Sequence, residues 1–152
     1  MRRFYIWTSS GFGIGWLPLA PGTWAAAAAV LPIFLFVQSS FVWRNAVLLA
    51  LIILFTVIGA KAAKALELEW GKDPKQIVID EMAGVWVAIL GCSWNWQYLL
   101  AGFVLFRFFD IVKPFGIKRA ESIGNGWGVM ADDLLAGLYA NFLIQGFTFA
   151  TR

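Results

Sequence analysis

The chain predicts an all-α fold: a polytopic helical membrane bundle of about five membrane segments, with a cytoplasmic N-terminus and residues 1–152 forming a single membrane-embedded domain. Three observations predict it. Hydrophobic residues make up 61% of the chain and charged residues 14%, against roughly 25% charged in a soluble domain. Mean hydropathy is +0.74. The apolar residues gather in five runs joined by short basic connections, and nine Trp and fourteen Phe add bulk suited to lipid and its interface.

The runs cover residues 24–37, 42–60, 77–92, 98–111 and 129–149. A span needs roughly 20 apolar residues, so the first, third and fourth reach across only if their polar ends lie among headgroups or in a protein-lined cavity. Ahead of the first, Ala20-Pro21-Gly22-Thr23 reads as a turn with Thr23 at the helix start, a ready anion site with free N–H groups and a hydroxyl. The second run continues through 61–75 as an interfacial helix, where Lys61, Lys64, Glu67 and Glu69 alternate with Ala and Leu before Trp70. Asp73-Pro74-Lys75-Gln76 has the form of an N-cap, a Pro at the first helical position and a capping-box Gln. That start puts Asp80 about 9 Å inside the third helix. The fourth helix should stop at Lys113, because Pro114 disfavours helical geometry there. Gly124-Asn125-Gly126-Trp127-Gly128 leads into the fifth.

Charge placement sets the orientation. With the N-terminus inside, internal connections carry nine basic residues (Arg2, Arg3, Lys61, Lys64, Lys72, Lys75, Lys113, Lys118, Arg119) and external ones only Arg44 and Arg152. A net charge of +3 spread in this way fits orientation and anionic headgroups, not nucleic acid. Met1-Arg2-Arg3 imitates a signal-peptide start, but Thr8, Ser9, Ser10 and nearby glycines interrupt the run that should follow, so no cleavage is expected.

The remaining charges are the anomaly. Asp80, Glu81, Asp110, Asp132 and Asp133 are five of the nine acids, and all lie in apolar stretches. A carboxylate at membrane depth costs a few kcal/mol or more unless a partner, a metal or water compensates it. Arg107 and Asp110 share a helix face at i,i+3. In the predicted topology Thr23, Asp80-Glu81, Asp110 with Lys113, and Asp132-Asp133 all fall at cytoplasmic ends, which predicts one site at the inner interface. The chain contains no His, which excludes Ser-His-Asp hydrolysis, histidine phosphatases and His-ligated zinc. Cys92 is followed six positions on by Tyr98, so a Cys-x5-Arg phosphatase loop is absent. Carboxylates, Lys, Arg, Thr and a hard metal ion with oxygen ligands remain. A cation- or proton-coupled small membrane transporter is the alternative, although its polar groups belong near midplane rather than at one interface.

Four motifs then carry a resemblance. Leu17-Pro18-x-Ala20-Pro21-Gly22-Thr23, Ile77-Val78-Ile79-Asp80-Glu81-x-x-Gly84, Phe106-Arg107-x-x-Asp110-x-x-Lys113-Pro114 and Gly126-x-Gly128-x-Met130-x-Asp132-Asp133-x-x-Ala136-Gly137 occur in that order. Together they resemble the phosphatidylglycerophosphatase A family of small bacterial inner-membrane lipid phosphatases. Two departures stand out: Ala25-Ala26 follow Trp24 where the family continues Gly-Ser, and Gly116 stands for the second Pro of Lys-Pro-x-Pro-Ile.

The resemblance implies Mg²⁺-dependent hydrolysis of phosphatidylglycerophosphate to phosphatidylglycerol and inorganic phosphate, at the cytoplasmic face of a multi-pass protein of the inner membrane. On this expectation Asp80, Glu81, Asp110, Asp132 and Asp133 hold one or two Mg²⁺, and Arg107, Lys113 and Thr23 take phosphate oxygens. An aspartyl-phosphate intermediate is the competing route to direct attack by water; the Asp-x-Asp spacing of haloacid-dehalogenase-type phosphatases is absent, which favours water. The expected partner is a phospholipid in the membrane, with a homo-oligomer left open.

Overall fold

A computed structural model describes residues 1–36, 40–72, 74–93, 95–114 and 116–151, with side chains 34–36 excepted. The described residues form helices and turns, without strands. In chain order the helices are α1 (Arg2–Ser9), α2 (Pro21–Val30), α3 (Phe41–Trp70), α4 (Ile79–Ile89), α5 (Trp96–Val112), α6 (Ile117–Ala120) and α7 (Trp127–Ala150). Short 3₁₀ turns at Ile14–Trp16 and Leu31–Phe36 flank α2. The five runs correspond to α2 to α5 and α7; α1 and α6 were not anticipated.

α3 is the one described helix both long and apolar enough to cross a bilayer. Its 30 residues span about 45 Å at 1.5 Å per residue, and Ser40 Oγ caps it by accepting from Trp43 N at 3.3 Å. It runs unbroken to Trp70 and ends at Gly71, so the expected helical continuation through 61–75 holds for residues 61–70 and stops short of 75. α7 has the length, but Asp132, Asp133, Asn141 and Gln145 interrupt its apolar run. α4 has 11 residues, about 16 Å, half a span.

α4 is the centre of the bundle. Every residue from Met82 to Ile89 is buried, with α7, α2, α3 and α5 around it. Ala25, Ala26 and Ala29 are buried on α2 and let it lie close to α4. Gly84 on α4 and Gly137 on α7 allow a second close approach, since a Cβ at Gly137 would overlap the Gly84 carbonyl. Small residues at such crossings let backbones touch.

The short α4 strands carbonyl groups at its C-terminus, which a buried helix end must satisfy. Asn141 Nδ2 of α7 donates to the carbonyls of Ala88 (3.1 Å) and Leu90 (2.7 Å), and Gln145 Nε2 donates to Leu90 O at 3.3 Å. Trp86 Nε1 donates to Ala29 O at 3.0 Å, tying α4 to α2. Large apolar side chains stay exposed along the outer faces, among them Ile53 and Leu54 on α3, Val104 and Phe108 on α5, and Phe142 and Phe147 on α7. Exposed apolar surface on that scale marks a membrane or protein contact.

Two predicted helix starts are corrected. The third helix begins at Ile79, not at Pro74, so Asp80 and Glu81 occupy its first turn instead of its interior. The proposed cap Asp73 lies outside the described residues. The segment before Ile79 is held instead by the N-terminal region: Val78 N donates to Ser9 O at 2.8 Å, and Gly15 packs on the Gln76 backbone. The fifth helix begins at Trp127 after Gly126 in the left-handed region (φ 78°). Asp132 and Asp133 therefore lie in its second turn, past the reach of a helix-end dipole.

Candidate active site

α2, α4 and α7 start at the end of the bundle where α5 finishes, and a cavity of about 240 Å³ opens among them. Asp80, Glu81, Arg107, Asp110, Lys113, Asp132 and Asp133 all line it, together with Ala20, Pro21, Gly22, Pro74, Lys75 and Ile77. α4 supplies the first two acids from its first turn. α5 supplies Arg107 and Asp110 from its last turns and Lys113 from its left-handed C-cap (φ 47°). α7 supplies Asp132 and Asp133, delivered by the Gly84–Gly137 crossing.

Asp80, Glu81 and Asp133 form the core of the site: one carboxylate oxygen from each lies within 4.8 Å of the others. Asp80 and Asp133 are only 7% and 3% exposed. Neighbouring helix positions point about 100° apart, yet the longer Glu81 side chain swings back to join Asp80. Glu81 Oε2 is buried without a hydrogen-bond partner. Three close carboxylates repel one another unless a cation relieves them, and an orphaned carboxylate oxygen among hard donors suits a divalent ion of the Mg²⁺ type. The donor set fits such an ion.

Asp110 and Asp132, the other two expected ligands, adjoin this cluster, Asp110 beside Asp133, and each also faces a cation. Arg107 Nη1 sits 2.6 Å from Asp110 Oδ2 and 4.0 Å from Glu81 Oε1. The close pair lacks hydrogen-bond alignment, and Arg107 Nε is buried with no partner. Lys113 Nζ donates to Asp132 Oδ2 at 2.6 Å and also to Glu121 Oε1. Burial opposes the Lys113 ammonium, but hydrogen bonds to Asp132 and Glu121 outweigh it and hold its pKa above the ordinary lysine value.

Thr23 is the exception among the expected residues: it is not on the cavity wall. α2 starts at Pro21 with Ala20 as its N-cap, so Thr23 is the third helical residue. Gly22 faces Glu81, and the next residue points about 100° away. The wall is made by Ala20, Pro21 and Gly22 where a hydroxyl was expected.

Sequence reasoning missed Gly22, Lys75 and Glu121. Gly22 had a signal in the Pro-Gly pair, which marks tight backbone. Glu121 follows Lys113 across a connection of a few residues, close enough to pair. Lys75 carried no signal beyond its charge.

A sequence model of the phosphatidylglycerophosphatase A family matches residues 7–148. A protein of Bacteroides thetaiotaomicron named "Putative phosphatidylinositol-3-phosphatase" is 46% identical over 89% of this chain and 87% of its own. Proteins named phosphatidylglycerophosphatase A from Haemophilus influenzae and Escherichia coli are 36% and 33% identical, over 88% and 84% of this chain and 82% and 74% of theirs. No solved structure matches.

Proposed function

The chain belongs to the phosphatidylglycerophosphatase A family, phosphoric monoester hydrolases acting on a lipid, and from that premise we propose that it removes the terminal phosphate of phosphatidylglycerophosphate in a Mg²⁺-dependent reaction. The products are phosphatidylglycerol and inorganic phosphate. The observation that carries this is the convergence of Asp80, Glu81 and Asp133 within 4.8 Å, in a cavity that also presents Arg107 and Lys113.

Asp80, Glu81 and Asp133 would hold the ion. Bound there, Mg²⁺ supplies Lewis acidity toward a phosphoryl oxygen and toward water. Arg107, kept in place by Asp110, offers its unpartnered Nε and the rest of its fork to phosphoryl oxygens. Lys113, anchored by Asp132 and Glu121, adds positive charge beside the same oxygens. Positioning and charge stabilisation are the main tasks in phosphoryl transfer. Water adds to phosphorus, the bond to the glycerol oxygen breaks, and that oxygen leaves as the hydroxyl of phosphatidylglycerol.

The same reading makes the protein a multi-pass component of a bacterial inner membrane with its site on the cytoplasmic face. The basic connections favour that orientation, and α3 is long enough to cross.

A second substrate has its own support. The relative at 46% identity is named for phosphatidylinositol 3-phosphate. Both lipids carry a phosphomonoester on a polyol headgroup joined through a phosphodiester to diacylglycerol, so the catalytic cavity serves either. Phosphate release by purified protein should be measured from the two lipids side by side, with Mg²⁺, with chelator, and with Asp80→Asn. Release from at least one of the lipids that stops on chelation and with Asp80→Asn is expected; activity indifferent to both would sink the metal-site reading.

A further inference from the structure

Building on the lipid phosphatase reading, we infer that Lys75 and the groove beside it form a subsite for the phosphodiester of the lipid substrate. Lys75 and the Ala20-Pro21 backbone line both the acidic cavity and a neighbouring groove of about 510 Å³. The far side of that groove is apolar: Trp16, Leu17 and Leu19 line it, and Leu19 is 87% exposed. Trp16 stacks edge-on against Trp70 at 5.6 Å between centroids, in keeping with a loop at the bilayer interface.

The cations lining the cavity are not equivalent. Arg107 faces Asp110 and Glu81, and Lys113 is held by Asp132 and Glu121. Lys75 is exposed and makes no ion pair or side-chain hydrogen bond among the described residues. Its charge is therefore available to a ligand without first breaking a protein contact. Its Nζ, a compact point charge on a flexible stem, suits a phosphodiester monoanion that needs no bidentate clamp.

The chemistry along this surface has an order: carboxylates and Arg107, then Lys75, then Trp16, Leu17 and Leu19. A phospholipid bearing a headgroup phosphate has the matching order of phosphomonoester, phosphodiester and acyl chain. The subsite distinguishes such lipids from phosphomonoesters that lack a phosphodiester, which have nothing to place at Lys75. It does not distinguish between the two candidate lipids, which share the diester.

The test uses the full chain in detergent micelles as wild type, Lys75→Met and Lys75→Arg. KM and kcat are measured on phosphatidylglycerophosphate and on phosphatidylinositol 3-phosphate. Inhibition is measured with phosphatidylglycerol, which has the diester alone, and with inorganic phosphate. In Lys75→Met the lipid KM and the phosphatidylglycerol Ki should rise about tenfold, the scale of one charge-assisted hydrogen bond. The Ki for inorganic phosphate should not move, and Lys75→Arg should recover most of the loss. Unchanged lipid KM, or equal weakening of inorganic phosphate, overturns the subsite. Wild-type protein inert toward both lipids overturns the lipid phosphatase reading itself, and the subsite with it.

Discussion

Glu81 rests its carboxylate against Gly22, at a spot where any Cβ on residue 22 would overlap Oε1. The start of α2 thus sets where a member of the three-acid cluster can sit. Gly22→Ala should push Glu81 out of the cluster and cut phosphate release at least about tenfold, a 1.4 kcal/mol rise in barrier. The Mg²⁺ concentration for half-maximal rate should rise as well. Circular dichroism should show the helices intact, because the clash falls on the end of a flexible side chain.

The three-acid cluster brings like charges together inside the bundle. Asp80, Glu81 and Asp133 repel one another in the absence of a cation. Asp133→Asn should therefore abolish Mg²⁺-dependent phosphate release while raising Tm in chelator, by about 2–4 °C for each kcal/mol of repulsion relieved. Mg²⁺ should raise the Tm of the wild type and leave that of the variant nearly unchanged. Thermal unfolding with and without chelator measures both.

Lys113 is the counter-charge of buried Asp132. Lys113→Met leaves that carboxylate facing Glu121 with no cation between them, at a cost on the order of 3 kcal/mol. Adding Asp132→Asn should restore much of the stability without restoring activity, since the ammonium is still missing. The sign of the pH dependence follows from the raised Lys113 pKa. Its stabilisation is complete below the ordinary lysine value and fades only as pH rises through the higher folded value. Between pH 6 and pH 9, denaturation midpoints should carry no signature of this pair.

Asn141 works at the opposite end of α4, where it donates to Ala88 O and Leu90 O. Asn141→Leu removes the amide donor from Ala88 O and leaves Leu90 O with Gln145 alone, and should cost about 1–3 kcal/mol. Its hydrogen bonds reach no residue of the cavity, so KM and kcat below the unfolding transition should stay near wild type. Loss of activity in step with lost stability would show that α4 transmits disorder at its C-terminus to Asp80 and Glu81.

Much of this molecule was legible in its sequence for energetic reasons. Acids in apolar runs stand out because burying them is costly, and seven of the eight expected site residues line one cavity. The turn at Lys113-Pro114 was legible because proline restricts the residue before it. The start of α4 was not. Asp73-Pro74-Gln76 has the local form of a cap, but Val78 pairs with Ser9 and Gly15 seats on Gln76, so contacts with the N-terminal region hold that stretch out of the helix.

The sequence by itself determined the helical class and the family and singled out seven of the charged residues that line the cavity, because composition, charge burial and motif order are properties of the chain alone. The tertiary structure decided how those charges divide. Asp80, Glu81 and Asp133 converge, Asp110 and Asp132 are matched to cations, Thr23 is replaced at the wall by Gly22, and Lys75 is left with its charge unspent. Those assignments depend on distances of a few ångströms between different helices. Such distances are set by where small residues let backbones meet, above all at Gly84 and Gly137.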